Sequence, residues 1–236
     1  MPSVVVIEQP NYLPWIGYFS LVAQCDVWVW YDDVQYTRRD WRNRNRVDSG
    51  SDVCWLTVPV RKAPVDQRIC DVEIDYSRPW VDRHLATLHH GYRRAPYFAE
   101  LHDLVAASLQ RRHVGLAGLT IELGEAICGY LGLQRGFRRS ADFGGLQGRR
   151  EERLLDLCRR LGATTYLSGP AARNYITPRS FLDQGLALRY AVYDFPPYPR
   201  GGRPFVPNLS ILDPLFWLGP HETRDYLERH ARSEPA

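Results

Sequence analysis

Four β-branched residues in a row, Val4-Val5-Val6-Ile7, run into Glu8-Gln9-Pro10-Asn11. That is the pattern of a strand buried on both faces that gives way to a loop. Apolar residues at near-helical spacing after Trp15 predict a short helix over 17–24, and Val27-Trp28-Val29-Trp30-Tyr31 predicts a second strong strand. Strand, helix and strand close within about 28 residues, a length typical of a right-handed parallel crossover. A third strand is predicted over 55–60, with Pro59 marking its end. From about Trp80 to Leu133 the period turns helical: Leu85, Leu88 and Tyr92, then Leu101, Leu104, Val105 and Leu109, then Leu119, Leu123, Ile127 and Leu131. Three helices punctuated by Pro96, Gly115 and Gly118 follow from it.

Beyond them the chain reads as a Gly- and Arg-rich loop over 138–150, a helix over 151–161 closed by Gly162, and a strand over 164–167. A turn at Ser168-Gly169-Pro170, a helix over 171–176 and a strand over 186–193 come next. Five prolines between Phe195 and Pro207 predict extended coil, then a helix over 211–218 and a polar turn over 222–229. Strands alternating with helices predict an α/β fold with a mostly parallel sheet of Rossmann-like type and a helical insertion or flank in the middle of the chain. We read 1–236 as a single domain, with 80–135 as a helical subdomain.

Composition narrows the function classes. No apolar run approaches the roughly 20 residues of a spanning helix, so no membrane partner is expected. Of 30 basic residues only Lys62 is lysine, and against 27 acids the net charge is +3, too balanced for a nucleic-acid coat. The five cysteines are never paired as C-x-x-C, so neither a disulfide framework nor a zinc knuckle follows. The N-terminal residues carry no basic leader, which reads as a cytoplasmic protein.

In a parallel α/β sheet, ligands bind beyond the carboxyl ends of the strands, which singles out three loops. Residues 9–19 bring Gln9, Asn11, Tyr12 and Trp15, with Gly17 allowing close backbone approach at a helix start. Residues 32–46 begin with Asp32 and Asp33, placed to hold a metal, a ribose or an amine, and only one of two adjacent side chains can face the ligand. If 42–46 is extended, Arg42, Arg44 and Arg46 share one face and Asn43 and Asn45 the other. Such a face suits a phosphate, diphosphate or carboxylate; a solvated charge run or a non-specific RNA contact is the alternative. The third loop offers Ser168 and Gly169, as a helix cap or a phosphate cradle. His84 is a candidate general base, although a lone helical histidine also serves structure. The histidines lack metal-ligand spacing, and no Walker loop, G-x-S-x-G or G-x-G-x-x-G is present, so no metal or cofactor is assigned.

Taken together, QPNYLPWIGYF, DDVQY, WRNRNR, WLTVPV, APYF at Ala95 to Phe98, YLSGPAARNYI and LSILDPLFWLG resemble the WbqC-like family over nearly the whole chain. Family-type positions matched are Gln9, Asn11, Tyr12, Trp15, Gly17, Asp32, Asp33, Gln35, Tyr36, Trp41, Arg42, Asn43, Arg44, Ser168 and Gly169. The resemblance implies a biosynthetic role, since members occur in bacterial gene clusters for surface polysaccharides and specialised metabolites. It does not itself define a reaction. Residues 4–24 are also similar in outline to the nucleotidylyltransferase superfamily, whose loop carries His-x-Gly-His. Here Trp15-Ile16-Gly17-Tyr18 keeps the glycine and lacks both histidines, leaving the fold and an anion pocket as what carries over.

The expected activity is a transferase joining an activated acyl or aminoacyl group to the amine of an amino sugar or natural-product intermediate. In it Asp32 or Asp33 deprotonates or orients the amine, Arg42 and Arg44 hold an anionic group, and Gln9, Asn11 and Tyr12 fix the substrate. The expected partners are an anionic small molecule and a carrier-bound or nucleotide-activated donor, with no specific nucleic acid. A metal-dependent nucleotidyl or glycosyl transferase and a non-catalytic scaffold remain open alternatives.

Overall fold

The structure, a computed structural model, describes residues 3–62 and 64–236. In chain order the elements are β1 (Val4–Glu8), α1 (Ile16–Ala23), β2 (Val27–Trp30), β3 (Arg44–Asp48), β4 (Val53–Thr57), α2 (Trp80–Tyr92), α3 (Phe98–Gln110) and α4 (Leu116–Leu131). They continue with β5 (Gly136–Arg139), α5 (Glu151–Arg160), β6 (Thr165–Ser168), α6 (Pro178–Leu182), β7 (Ala187–Val192), α7 (Leu212–His230) and β8 (Arg232–Pro235).

The β-branched run at the start of the chain lies inside a six-stranded sheet ordered β5-β2-β1-β6-β7-β8, with Val5 opposite Val27 and Glu8 opposite Trp30 in register. All neighbours pair parallel except β7 and β8, so the sheet is mostly parallel and the protein is α/β of Rossmann-like type. Alternation along the strands sorts side chains to two faces. Val6, Trp28 and Trp30 join the core with α1 to α4 and α7, whereas Val5, Ile7 and Val29 pack with Leu154, Leu157, Tyr166 and Phe181 on the other side. Leu88, Leu101 and Leu123 of the middle helices belong to the same buried cluster as Val6.

Several segments depart from the sequence expectations. The strand expected at 55–60 is β4, and it pairs antiparallel with β3 in a separate two-stranded ribbon instead of entering the main sheet. Part of the loop expected at 138–150 is strand: β5 runs to Arg139, pairing with β2. The polar turn expected at 222–229 is helix, because α7 continues past a kink at Gly219 (φ 76°) and Pro220 to His230. The helix expected at 171–176 is a 3₁₀ turn, Pro170–Asn174, and α6 and β8 were not anticipated.

A buried ionic network fastens the ribbon and the proline-rich tail to α7. Arg200, 1% exposed, donates from Nε (2.9 Å) and Nη2 (2.7 Å) to the fully buried Asp213 and from Nη2 to Asp48 (2.7 Å). Tyr92 and Tyr198 donate to the same Asp213 carboxylate at 2.9 and 2.6 Å, and Arg203 reaches Asp48 at 3.1 Å. Two carboxylates and two guanidiniums balance, and the phenols complete the acceptors' hydrogen bonding. Beside this network α2 passes so close to β3 that a Cβ on Gly91 would stand 2.0 Å from the Asp48 carbonyl oxygen. Backbone cannot move aside as a side-chain tip can. Gly91→Ala is therefore expected to destabilise the fold by about 1–3 kcal/mol, read as a lowered midpoint in urea. An unchanged midpoint would refute that close approach.

Candidate functional site

The chain leaves β1 toward β2 and β5, then returns across to β6 and β7, so strand order reverses between β1 and β6. Beyond the carboxyl ends of these strands lies a cleft of about 500 Å³ lined by Glu8, Gln9, Tyr31, Arg150, Tyr166, Asn174 and Tyr175 among others. At its base sits Glu8, the last residue of β1, whose carboxylate accepts the backbone N–H of Gly169. Burial raises its pKa from 4.5 to about 7, with Arg42 and the Gly169 N–H pulling it back. Glu8 thus changes charge near neutrality. Burial likewise lifts Tyr31 to about 12, so it stays a phenol and a hydrogen-bond donor.

Gln9 and Asn11 leave β1 on either side of Arg42. The Arg42 Nε donates to Gln9 Oε1 (2.5 Å) and Nη1 to Asn11 Oδ1 (2.8 Å). A guanidinium has no acceptor, so it fixes which way each amide is turned: the oxygens face Arg42 and the NH₂ groups point away from it. Gln9 lines the cleft, and Asn11 lines a neighbouring cavity of about 350 Å³ with Pro14, Trp15, Trp41, Asn45, Arg46 and Asn208. The loop that presents these groups is held in a strained shape, with Leu13 at φ 45°. Asn45 Nδ2 donates to the carbonyls of Tyr12 and Leu13, Trp41 C=O accepts Tyr12 N–H, and Ile211 N–H donates to Pro14 C=O.

Other positions picked from the sequence fall in structural roles around this centre. The segment 42–46 is extended only from Arg44 onward, 42–43 lying in a turn; Asn43 and Asn45 are buried, and Arg42, Arg44 and Arg46, alternating with them, are half-buried. Asn43 Nδ2 donates to Val58 C=O, and Arg44 stacks over Trp55 at 4.3 Å. Trp41 is 42% exposed and tilted against Trp55. The space beside Gly17 is filled by the indole of Trp15, which packs edge-on against Tyr193. Gln35 Nε2 donates to Val65 C=O, and Tyr36 is buried with its N–H on Gln67 C=O. Ser168 is buried and accepts from Tyr166 O–H, and Gly169 supplies the N–H to Glu8.

The two aspartates and the histidine sit away from the cleft lining. Asp32 is completely buried, with Oδ2 bonded by Arg139 Nε (2.8 Å) and Nη2 (2.5 Å) and Oδ1 by Ser140 Oγ and Ala141 N–H. Asp33 is held by Arg153 and Ser140. Their acceptor sites are therefore occupied from within the chain, which fits pinning β2 to β5 and α5. His84 lies buried between Tyr12, whose phenol meets Nδ1 at 2.9 Å, and Trp80, and it bonds the Thr57 backbone. Burial lowers its pKa to about 4, so it is neutral near pH 7. Among the described residues, no three His, Cys, Asp or Glu side chains are grouped to hold a metal ion.

Sequence reasoning missed Glu8 because it started the loop at Gln9. The available signal was an acid at the carboxyl end of an otherwise wholly apolar strand. Arg150, Tyr31 and Tyr175 lie far apart in sequence, and only the sheet order brings them together.

A mostly parallel α/β sheet with a cleft at its reversal point defines the chain as a Rossmann-like α/β protein. It belongs to the WbqC-like protein family, which its sequence matches over residues 9–225. It is similar to the uncharacterized protein Rv1507c of Mycobacterium tuberculosis (strain ATCC 25618 / H37Rv), 41% identical over 226 residues covering 94% of this chain and 96% of that protein. No solved structure matches.

Proposed function

We propose that the protein is a biosynthetic transferase that joins an activated acyl or aminoacyl group to the amine of a small molecule, with Glu8 as the base. The observation that carries this reading is a carboxyl in the switch-point cleft whose pKa is about 7. Proton transfer is most efficient when the base titrates near the working pH. Glu8 takes one proton from the substrate ammonium, and the freed lone pair attacks the acyl carbon. A C–N bond forms, the bond from carbon to the leaving group breaks, and the leaving group departs with the electron pair. The second nitrogen proton goes to that group or to water. Arg42 and Arg150 lie where an anionic donor would meet positive charge, and Gln9 NH₂ is set to donate to a carbonyl or phosphate oxygen. Asp32 and Asp33 act by pinning the end of β2 to β5 and α5.

The test is a matrix of acyl thioesters and aminoacyl adenylates against amino sugars and simple amines, followed by mass spectrometry. An amide product that forms only with protein supports the reading. Transfer of a nucleotidyl or glycosyl group instead, dependent on magnesium or manganese, would overturn it.

A further inference from the structure

The cavity beside the cleft carries ring-stacking and anion-holding groups that the transfer chemistry at Glu8 does not use. Trp41 is 42% exposed in its wall, and its indole leans on Trp55, which is itself capped by the Arg44 guanidinium at 4.3 Å. The two indoles are tilted by 39° with their centroids 5.4 Å apart, so Trp41 is held by a partner that Arg44 holds in turn, a preorganised platform for a flat ring. Around it stand Arg46 and the amides of Asn11 and Asn208. Asn11 is turned by Arg42 so that only its NH₂ faces outward, a donor for oxygen acceptors. Arg46 Nη2 bonds the carbonyls of Pro207 and Asn208, which aims the guanidinium, and its buried Nε has no hydrogen-bond partner among the described residues.

We propose that this cavity is a nucleotide subsite, in which a base stacks on Trp41 and a phosphate is held by Arg46 and the Asn11 amide. Platform and donors together select the ligand class. A sugar ring could stack on a tryptophan but would not need an arginine beside an amide committed as a donor, whereas a phosphate uses both. The volume, about 350 Å³, sits at the small end of ligand pockets and suits one nucleotide unit. Arg42 bridges the cavity and the cleft by bonding Asn11 of one and Gln9 of the other. A donor activated by a nucleotide would therefore rest its handle on Trp41 and place its reacting carbon toward Glu8. That assignment of the handle rests on the transfer reading above; nucleotide binding itself does not.

Calorimetric titration of the full chain with UMP, AMP, uridine and adenosine tests the proposal. At least one monophosphate is expected to bind. Trp41→Ala should weaken nucleotide and nucleoside alike by about tenfold or more. Arg46→Gln should weaken the monophosphate and leave the nucleoside unchanged, and that nucleoside binding also reports that the pocket has folded. Failure of both monophosphates to bind at millimolar concentration, indifference to Trp41→Ala, or full displacement by glucosamine alone would each overturn the subsite. Binding needs no turnover: nucleotide binding without amide formation refutes the transfer reading only, and amide formation with no nucleotide binding refutes the subsite only.

Discussion

Glu8→Gln is expected to lower amide formation by about 10²–10⁴-fold, the usual contribution of a positioned general base, while the protein stays folded. Glutamine has the same shape and keeps an oxygen for the Gly169 N–H, so the cleft is preserved and only the proton acceptor is lost. In the wild-type protein kcat/KM should rise as pH increases through about 7, and the rise should vanish in the variant. Stability should move the opposite way. Unfolded Glu8 releases its proton near 4.5 and folded Glu8 holds it to about 7, so in that window the folded state carries the extra proton and loses stability as pH rises. Above pH 7 the carboxylate therefore costs up to about 3 kcal/mol, and Glu8→Gln should be more stable than the wild type at pH 8, with the gap closing toward pH 5. Neutral His84 works in the reverse sense, its contribution falling as pH drops from 6.5 toward 4, and comparison of variant with wild type at each pH cancels it. Activity within tenfold of wild type would remove Glu8 from the chemistry.

Arg200→Met should cost about 3–5 kcal/mol, because it leaves Asp213 and Asp48 facing each other without their shared cation. For a chain of this size that is a fall in melting temperature of about 10 °C or more. Asp213 suffers most, being fully buried with both oxygens committed to Arg200. Arg200→Met combined with Asp213→Asn should lose less than the sum of the single changes, since the stranded charge is removed with its partner. Urea unfolding checks both statements, and a loss below about 1 kcal/mol for Arg200→Met would show that the network is a surface-like pair of little weight.

The parallel core was legible because β1 and β2 are short apolar runs separated by one crossover, and because the middle helices repeat leucine at helical spacing. The ribbon was not. Strand pattern over 53–57 says nothing about which partner it pairs with, and β3 carries arginines and asparagines that do not look like strand residues. The second half of α7 was hidden by the glycine–proline pair at its kink. For the site, alternation separated Arg42, Arg44 and Arg46 from the buried Asn43 and Asn45, yet did not show that Arg42 would turn inward to two amides. Asp32 and Asp33 were visible as charges after a strand. Their cations, Arg139 and Arg153, come 107 and 120 residues later, a separation no local pattern encodes.

The loop over 9–15 is gripped by residues from 41–45 and by Ser210 and Ile211, with Trp15 bridged to Ser210 and Pro14 bonded to Ile211. During synthesis, a segment made among the first must wait for one made among the last. At about 5–20 residues per second, roughly ten seconds or more separate them, during which the strained Leu13 turn lacks half its clamps. The sheet's first strands can pair early, but the loop is fully clamped only when Ser210 and Ile211, in the last eighth of the chain, dock. A ribosome-bound or truncated chain ending before Ser210 would lack the contacts of Ser210 and Ile211 with Trp15 and Pro14 that clamp this loop.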